Sequence, residues 1–287
     1  MTHRLRSRPP RKALSLVELV VVLVILVILT TVSLQATEGL VEQGRFDASR
    51  RSLEQIEAAI VGRPELGGDD ALPRLAGFVA DMGRLPRRLE ELFDGSGLTA
   101  FSVQSPAANV LLGSGWRGPY LRLPIGATEL KDPYNQDFLL SDPSGSSAPA
   151  DIQVNGIAEV SIDPAARVAP FDATLSVTLA NGTINRFQSS VVVSLEVLDL
   201  GLGTPSYRPP TGSESFQVTL FEPDGNGAVK ISAETFDAAN TSRSFPLVTI
   251  GARVLRAERT DGGGSQSGAL SIAVHPTGPN TVTLRAQ

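Results

Sequence analysis

The sequence predicts an α+β chain: a long N-terminal α-helix whose first half spans a membrane, a small α+β head, and an antiparallel β-sandwich-like region towards the C-terminus. Three observations predict it. A basic tail gives way after Lys12 to an apolar run that reaches Leu34 and holds one charge, Glu18. No proline occurs between Arg11 and Arg63. Beyond Asp151, apolar residues alternate with polar ones between turn-forming pairs.

Residues 14–34 are 21 in number and as a helix rise roughly 31 Å, one hydrocarbon thickness. Their Val and Ile content is poor for a helix in water but of no consequence in lipid, where the backbone must bond internally. The pattern then becomes amphipathic. Phe46, Leu53, Ile56 and Ile60 share one stripe, while Arg45, Arg51, Glu54 and Glu57 lie mostly elsewhere. Gly62 and Pro64 supply a stop, so a single helix over 14–61, roughly 70 Å long, is expected. The positive residues precede the apolar run, which leaves the N-terminus in the cytoplasm and everything after Leu34 outside. A carboxylate inside such a span is costly unless paired, so Glu18 marks function by default.

A second helix is predicted from near Asp70, with Pro73 in its first turn, Leu72, Leu75, Phe78, Val79 and Met82 on one face, and Gly83 as its end. Pro86 opens a short helix that carries Leu89, Leu92 and Phe93. Residues 94–150 are rich in Gly, Ser and Pro, with few strand candidates. Further on, Leu175, Val177 and Leu179 alternate up to Asn181-Gly182, a strong hairpin signal leading to Val191, Val193, Leu195 and Val197. Strands follow at 216–220, after the turn at 224–227, at 247–255, around Leu270 to Val274, and around Val282 and Leu284. Their spacing suggests the antiparallel sandwich. The predicted divisions are a leader over 1–13, a first domain over 14–150 and a β-rich domain over 151–287.

Composition excludes several classes. Net charge is −5, but five of the 25 basic residues lie within the first 13 positions; without them 20 face 30 acidic residues, a net of −10. That balance argues against a nucleic-acid partner. There is no cysteine, so neither a disulfide nor thiolate chemistry exists. Of two histidines, His3 lies in the leader and His275 beside Pro276. No phosphate loop, metal-spaced His/Cys cluster or nucleophile elbow is present, and a non-enzymatic protein is expected.

The leader, the small residue Ala13, and Glu18 five positions on within an apolar run resemble the processing site of type IV prepilins and of type II secretion pseudopilins. The family usually has Gly where this chain has Ala13, Phe or Met where it has Leu14, and Thr where it has Ser15. Phe78-Val79-Ala80-Asp81-Met82-Gly83-Arg84-Leu85-Pro86, followed by Leu89-Glu90-Glu91-Leu92, resembles the family's "GRYP"-like turn and acidic-apolar helix. Trp116-Arg117-Gly118-Pro119-Tyr120-Leu121 and the stretch from Lys131 to Phe138 resemble its "GPYL" and "DPWGNPY" signatures, with Asn135-Gln136-Asp137 in place of Gly-Asn-Pro. The resemblance covers roughly residues 5–145. The last 70 or so residues resemble, by pattern, transthyretin-like or carboxypeptidase-regulatory-like modules.

The resemblance implies a structural subunit of a type IV pilus or a secretion pseudopilus. It would be cut between Ala13 and Leu14 by a prepilin peptidase and N-methylated. It would then polymerise through its apolar helix with sibling subunits, with Glu18 serving assembly. Its setting would be the bacterial inner membrane, among lipid and an inner-membrane assembly platform, with the later domains periplasmic or in a filament. Two alternatives stand beside it. A secretory signal peptide would be cut after Ala36, although Leu34 is large for that site and an acid is rare in a signal core. A single-pass anchored protein would carry its β domain as a binding module and never polymerise. No cofactor is expected, apart from a calcium candidate: family resemblance points to the loop 141–151, with Asp142 and Asp151 as its acids and Ser144, Ser146 and Ser147 where further acids would stand. The turn Asp224-Gly225-Asn226-Gly227 falls short of the ligand count of a calcium loop and reads as Asx-type backbone bonding.

Overall fold

A computed structural model of the 287-residue chain describes residues 16–62, 77–163, 171, 173–201, 204–276 and 280–287. The leader and the junction of Ala13 and Leu14 lie outside the described residues. Two compact units, residues 1–48 and 49–287, divide the chain. Helix α1, Leu16–Val61, has 46 residues and runs through that division. In the first unit its apolar side chains from Leu16 to Val32 are exposed on every side. It is long and apolar enough, by length and composition, to cross a membrane.

The second unit starts with the last turns of α1, where Leu53, Ile56 and Ile60 are buried as their spacing predicts. Gly62, at φ +86°, ends the helix and its N–H donates to the Ala58 carbonyl at 2.9 Å. Helix α2 is Phe78–Met82, preceded by Gly77 in extended conformation. The helix expected from near Asp70 therefore does not run continuously to Gly83; its earlier part, 70–76, lies outside the described residues. The reason is a backbone-to-backbone contact. A Cβ on Gly77 would stand 2.4 Å from the Gly62 nitrogen and 2.7 Å from the Val61 carbonyl carbon. Gly83, at φ +74°, closes α2 as expected, and its N–H donates to the Val79 carbonyl. A 3-10 turn, Leu89–Leu92, follows Pro86.

Strands β1, Ser102–Ala107, and β2, Val110–Ser114, form an antiparallel hairpin that the sequence did not suggest. Next come β3, Leu139–Ser141, helix α3, Pro149–Asn155, β4, Glu159–Ile162, and β5, Leu175–Thr178. The three strands make an antiparallel sheet in the order β3-β4-β5. One core gathers Leu53, Ile56 and Ile60 of α1 with Phe78, Met82 and Leu92, and extends to Ile152, Val160, Ile162 and Leu179. The predicted boundary between 150 and 151 thus falls inside α3, and the apolar residues on either side of it pack together. Trp116 and Tyr120 lie against this core, ring edge to ring face at 6.0 Å, and Trp116 Nε1 donates to the Glu91 carbonyl at 2.7 Å.

The remaining strands are β6, Gln188–Asp199; β7, Ser206–Arg208; β8, Ser215–Pro223; β9, Val229–Asp237; β10, Ser242–Thr249; β11, Gly251–Arg259; β12, Ser267–Val274; and β13, Asn280–Ala286. They form two four-stranded sheets, one ordered β10-β6-β13 with β7 also on β6, the other β12-β11-β8-β9. Alternate residues of both, among them Val191, Val193 and Leu195 of β6 and Phe216, Val218 and Leu220 of β8, share a second core.

Three details depart from the sequence reading. Asn181-Gly182 does reverse the chain, with one antiparallel bridge between Ala180 and Asn185, but it does not pair β5 with β6, because β5 pairs with β4 whereas β6 pairs with β7, β10 and β13. Within the turn the Asn181 Oδ1 accepts from the Thr183 and Ile184 amides, and the Asn181 amide donates to the Ile184 carbonyl at 2.7 Å. The single strand expected over 247–255 is two, broken at Ile250; the second begins at Gly251, where φ is +120° and a Cβ would meet the Ala80 Cβ at 2.8 Å. Finally, β13 lies parallel to β6, so the sheets are mostly rather than wholly antiparallel.

The Gly77 contact leaves no room for a side chain, whereas Gly39 has nothing within 4 Å of an added Cβ. Gly77→Ala is expected to destabilise the second unit by about 1–3 kcal/mol, the usual range for overpacking. Gly39→Ala is expected to leave it unchanged while raising helix stability by about 0.5–1 kcal/mol. Chemical unfolding of the detergent-solubilised chain, followed by Trp116 fluorescence for the second unit and circular dichroism for helix, checks both.

Candidate functional site

The first candidate is the apolar face of α1 with its one acid. Glu18 stands in the first turn of the described helix, exposed, between Val17 and Leu19, which are exposed too. Towards the other end of the apolar run, hydroxyls turn back on the helix rather than outward. The Thr30 Oγ1 donates to the Leu26 carbonyl at 2.6 Å, and the Thr31 Oγ1 to the Ile28 carbonyl at 2.8 Å. Such back-bonding satisfies a hydroxyl without water, as a lipid setting requires. Ala13 and Leu14 lie outside the described residues, so the geometry bears on Glu18 alone.

The second candidate is the calcium loop. Asp142 and Asp151 do come together, through Ser146. Asp142 is buried, and its Oδ1 accepts from the Ser144 and Ser146 amides and the Ser144 hydroxyl, while its Oδ2 accepts from the Asn155 side chain at 2.7 Å. Asp151 Oδ2 accepts from the Ser146 hydroxyl at 2.6 Å. These bonds, that from the Ser144 hydroxyl foremost, hold the Asp142 carboxyl down at about 2. Calcium needs six or more oxygen ligands turned inward. Here N–H and O–H donors already surround the carboxylate, and the residues fit a closed loop better than a cation site. Among the described residues, no group of three or more His, Asp or Glu side chains is arranged to hold a metal. Asp224 behaves as predicted, its Oδ1 accepting from the Asn226 and Ala228 amides.

Three buried ionic clusters escaped the sequence reading. Asp81 accepts from Arg117 Nη2 at 2.7 Å and from the Tyr120 hydroxyl at 3.1 Å; burial pushes its carboxyl up, and Arg117 partly offsets that. Burial also pushes the Tyr120 phenol up, with the neighbouring Asp81 charge adding to it. Arg84 pairs with Glu91 at 2.8 Å and donates to the Gly225 carbonyl, tying the turn after α2 to the β8–β9 turn. Arg253 is fully buried and donates to the carbonyls of Ala80, Thr249, Ile250 and Ala252 and to the Thr249 hydroxyl. Desolvation lowers it to about 10, against the pull of Glu222 and Asp81. These clusters brace the fold. Asp81 and Arg117 are 36 residues apart, Arg84 and Glu91 stand on either side of the turn at Pro86, and Arg253 bonds no carboxylate among the described residues, so no local pattern announces them.

No family model matches the chain, and no curated protein matches it. Among solved structures, one described as the crystal structure of S.CueP is similar at 12% identity, over 45% of this chain and 73% of that chain, with a TM-score of 0.24. A likeness at that level carries no argument.

Two outcomes follow. The Asp142 carboxyl is held near 2 in the fold, below its ordinary 3.8, so its ionisation adds stability in full above that ordinary value and loses it as pH falls towards 2. Asp142→Asn should lower the urea midpoint at pH 7, and the gap from the parent should narrow between about pH 4 and pH 2. For the buried guanidinium, Arg253→Ala leaves four carbonyls short of a donor and is expected to cost about 3–5 kcal/mol in the same unfolding measurement.

Proposed function

We propose that the chain is a pilin-like structural subunit, of a type IV pilus or a secretion pseudopilus, that polymerises through α1. The observation that carries the reading is a helix of 46 residues whose first half is apolar on all faces and holds one acid in its first described turn. Such a surface asks for lipid or for other apolar helices. The aromatic pair Trp116 and Tyr120 against the core that α1 helps to build supports a pilin-like head, and the two β6- and β8-centred sheets sharing one core support a sandwich after it.

In this reading a prepilin peptidase cuts between Ala13 and Leu14 in the inner membrane, and the second unit stands on the periplasmic side. The new amine at Leu14 stands four positions before Glu18 in the sequence. Glu18 neutralises the amine of an incoming subunit and so sets axial register. A carboxylate in the span costs about 2–3 kcal/mol on insertion scales, less where it reaches the interface. Pairing recovers that cost only in the correctly stacked assembly.

Mass spectrometry of the mature N-terminus tests the cut. It should give Leu14, methylated. An N-terminus at Thr37 would support a signal peptide, and an intact Met1 a plain anchor that does not polymerise. Glu18→Ala should leave insertion and cutting largely intact, while assembly, read by crosslinking of processed protein, slows or fails. Parent-like crosslinking would remove the pairing role.

A further inference from the structure

A trough of about 650 Å³ runs beside residues 137–140, at the open end of the β3-β4-β5 sheet. Strand β3 pairs with β4 on one side, and among the described residues no strand pairs with its other side. Apolar side chains of Phe93, Leu130, Phe138 and Ile152 line the trough. Its rim carries Arg87 and Arg88. Both are exposed, and neither side chain makes a hydrogen bond or ion pair among the described residues, although Arg88 lies near enough to Asp94 to help lower its carboxyl. Two carboxylates share the lining. Asp137 is already engaged by Lys131 at 2.6 Å, which leaves Glu90 as the one acid there without an ion pair.

We propose that this edge and trough bind an extended acidic–apolar peptide of a partner protein. Its backbone adds a fourth strand beside β3, one apolar side chain enters the trough, and carboxylates on the same face meet Arg87 and Arg88. Residues two apart in a strand share a face and lie about 7 Å apart, so the motif is an apolar residue with an acid two positions away. Main-chain hydrogen bonds supply affinity and the pocket supplies selectivity, the usual division in strand addition. An anionic lipid would meet the same arginines and the same trough but has no use for the unpaired backbone of β3, which favours the peptide. The chain's own acidic balance, net −5, makes two adjacent unpaired arginines a local exception and a source of charge complementarity. The proposal does not depend on the filament reading.

The test uses the full chain in maltoside micelles with labelled octapeptides. One set carries Val, Leu or Phe at the third position, Asp at the fifth and seventh, and Ser elsewhere; a matched set carries Lys for Asp. Fluorescence anisotropy should show saturable binding of the Asp set with about tenfold preference over the Lys set. The Arg87→Glu/Arg88→Glu variant should reverse that preference, with an unchanged unfolding midpoint because neither side chain braces the fold. N-methylation of alternate peptide amides should abolish binding. The proposal is overturned if no member of either set saturates, if the preference survives charge reversal, or if N-methylated peptides bind equally. It is likewise overturned if soluble dihexanoylphosphatidylglycerol, and not the peptides, binds in a manner the double variant loses.

Discussion

The second unit depends on the corner at residues 249–253, where the chain leaves one four-stranded sheet and enters the other. Thr249 ends β10 and Gly251 begins β11, while Ile250 between them sits in the core shared with α1 and α2. A guanidinium has five donors in a rigid fork, and at this corner that of Arg253 is spent on the turn itself and on the Ala80 carbonyl of α2. Carbonyls that a tight turn would leave buried and unpaired are thereby satisfied. Burial of a charge is expensive, but Arg253 remains protonated at neutral pH because its value falls only to about 10. Glu222 sits close enough to favour that charge; it accepts from the Thr249 amide and hydroxyl and pairs with Lys230.

The same logic explains a feature of the composition. Lysine is nearly absent, and the positive charge is almost all arginine. Arg84 bonds a carboxylate and two carbonyls at once, Arg208 bonds Asp199, Glu214 and the Pro209 carbonyl, and Arg259 bonds Asp261 and Gln266. A lysine ammonium is a compact point charge on a flexible stem and cannot hold so many acceptors in one plane. In a fold whose loops turn tightly over two cores, a planar multidentate donor brings several chain segments to one point. Arg87 and Arg88 stand outside that pattern, which is why their free side chains draw notice.

Period and punctuation were legible; pairing was not. The 3.6-residue stripe of Leu53, Ile56 and Ile60 and the stop at Gly62 placed the end of α1, and alternation located most of β6, β8, β12 and β13. Alternation says which face a residue takes but not which strand lies beside it. Asn181-Gly182 therefore read as joining two long paired strands, although its turn closes on a single bridge and β5 and β6 belong to different sheets. The hairpin of β1 and β2 was hidden because Pro106 and several serines dilute its apolar residues, of which Val110 and Leu112 alone are deeply buried. Gly77 fell inside a predicted helix and Gly251 inside a predicted strand, yet each is small because another backbone or Cβ lies against it. At the candidate sites, Glu18 was visible as one acid in an apolar run. The saturation of Asp142 by its own loop was not, because it depends on Asn155 folding back from α3.

The chemistry of α1 also limits what its apolar half can do unaided. In lipid, helices gain little from burying Leu, Val or Ile against one another, because acyl chains are equally apolar. Close association then needs small residues or polar contacts, and from Leu16 to Leu29 the helix offers no glycine, alanine or serine. Thr30 and Thr31 have turned their hydroxyls onto their own backbone. Glu18 is thus the one side chain in that stretch whose charge can make one alignment of neighbouring helices better than the next. The surrounding Val, Leu and Ile supply an environment in which a misplaced charge is penalised, and it is that penalty, more than any apolar contact, that can turn adhesion between such helices into register.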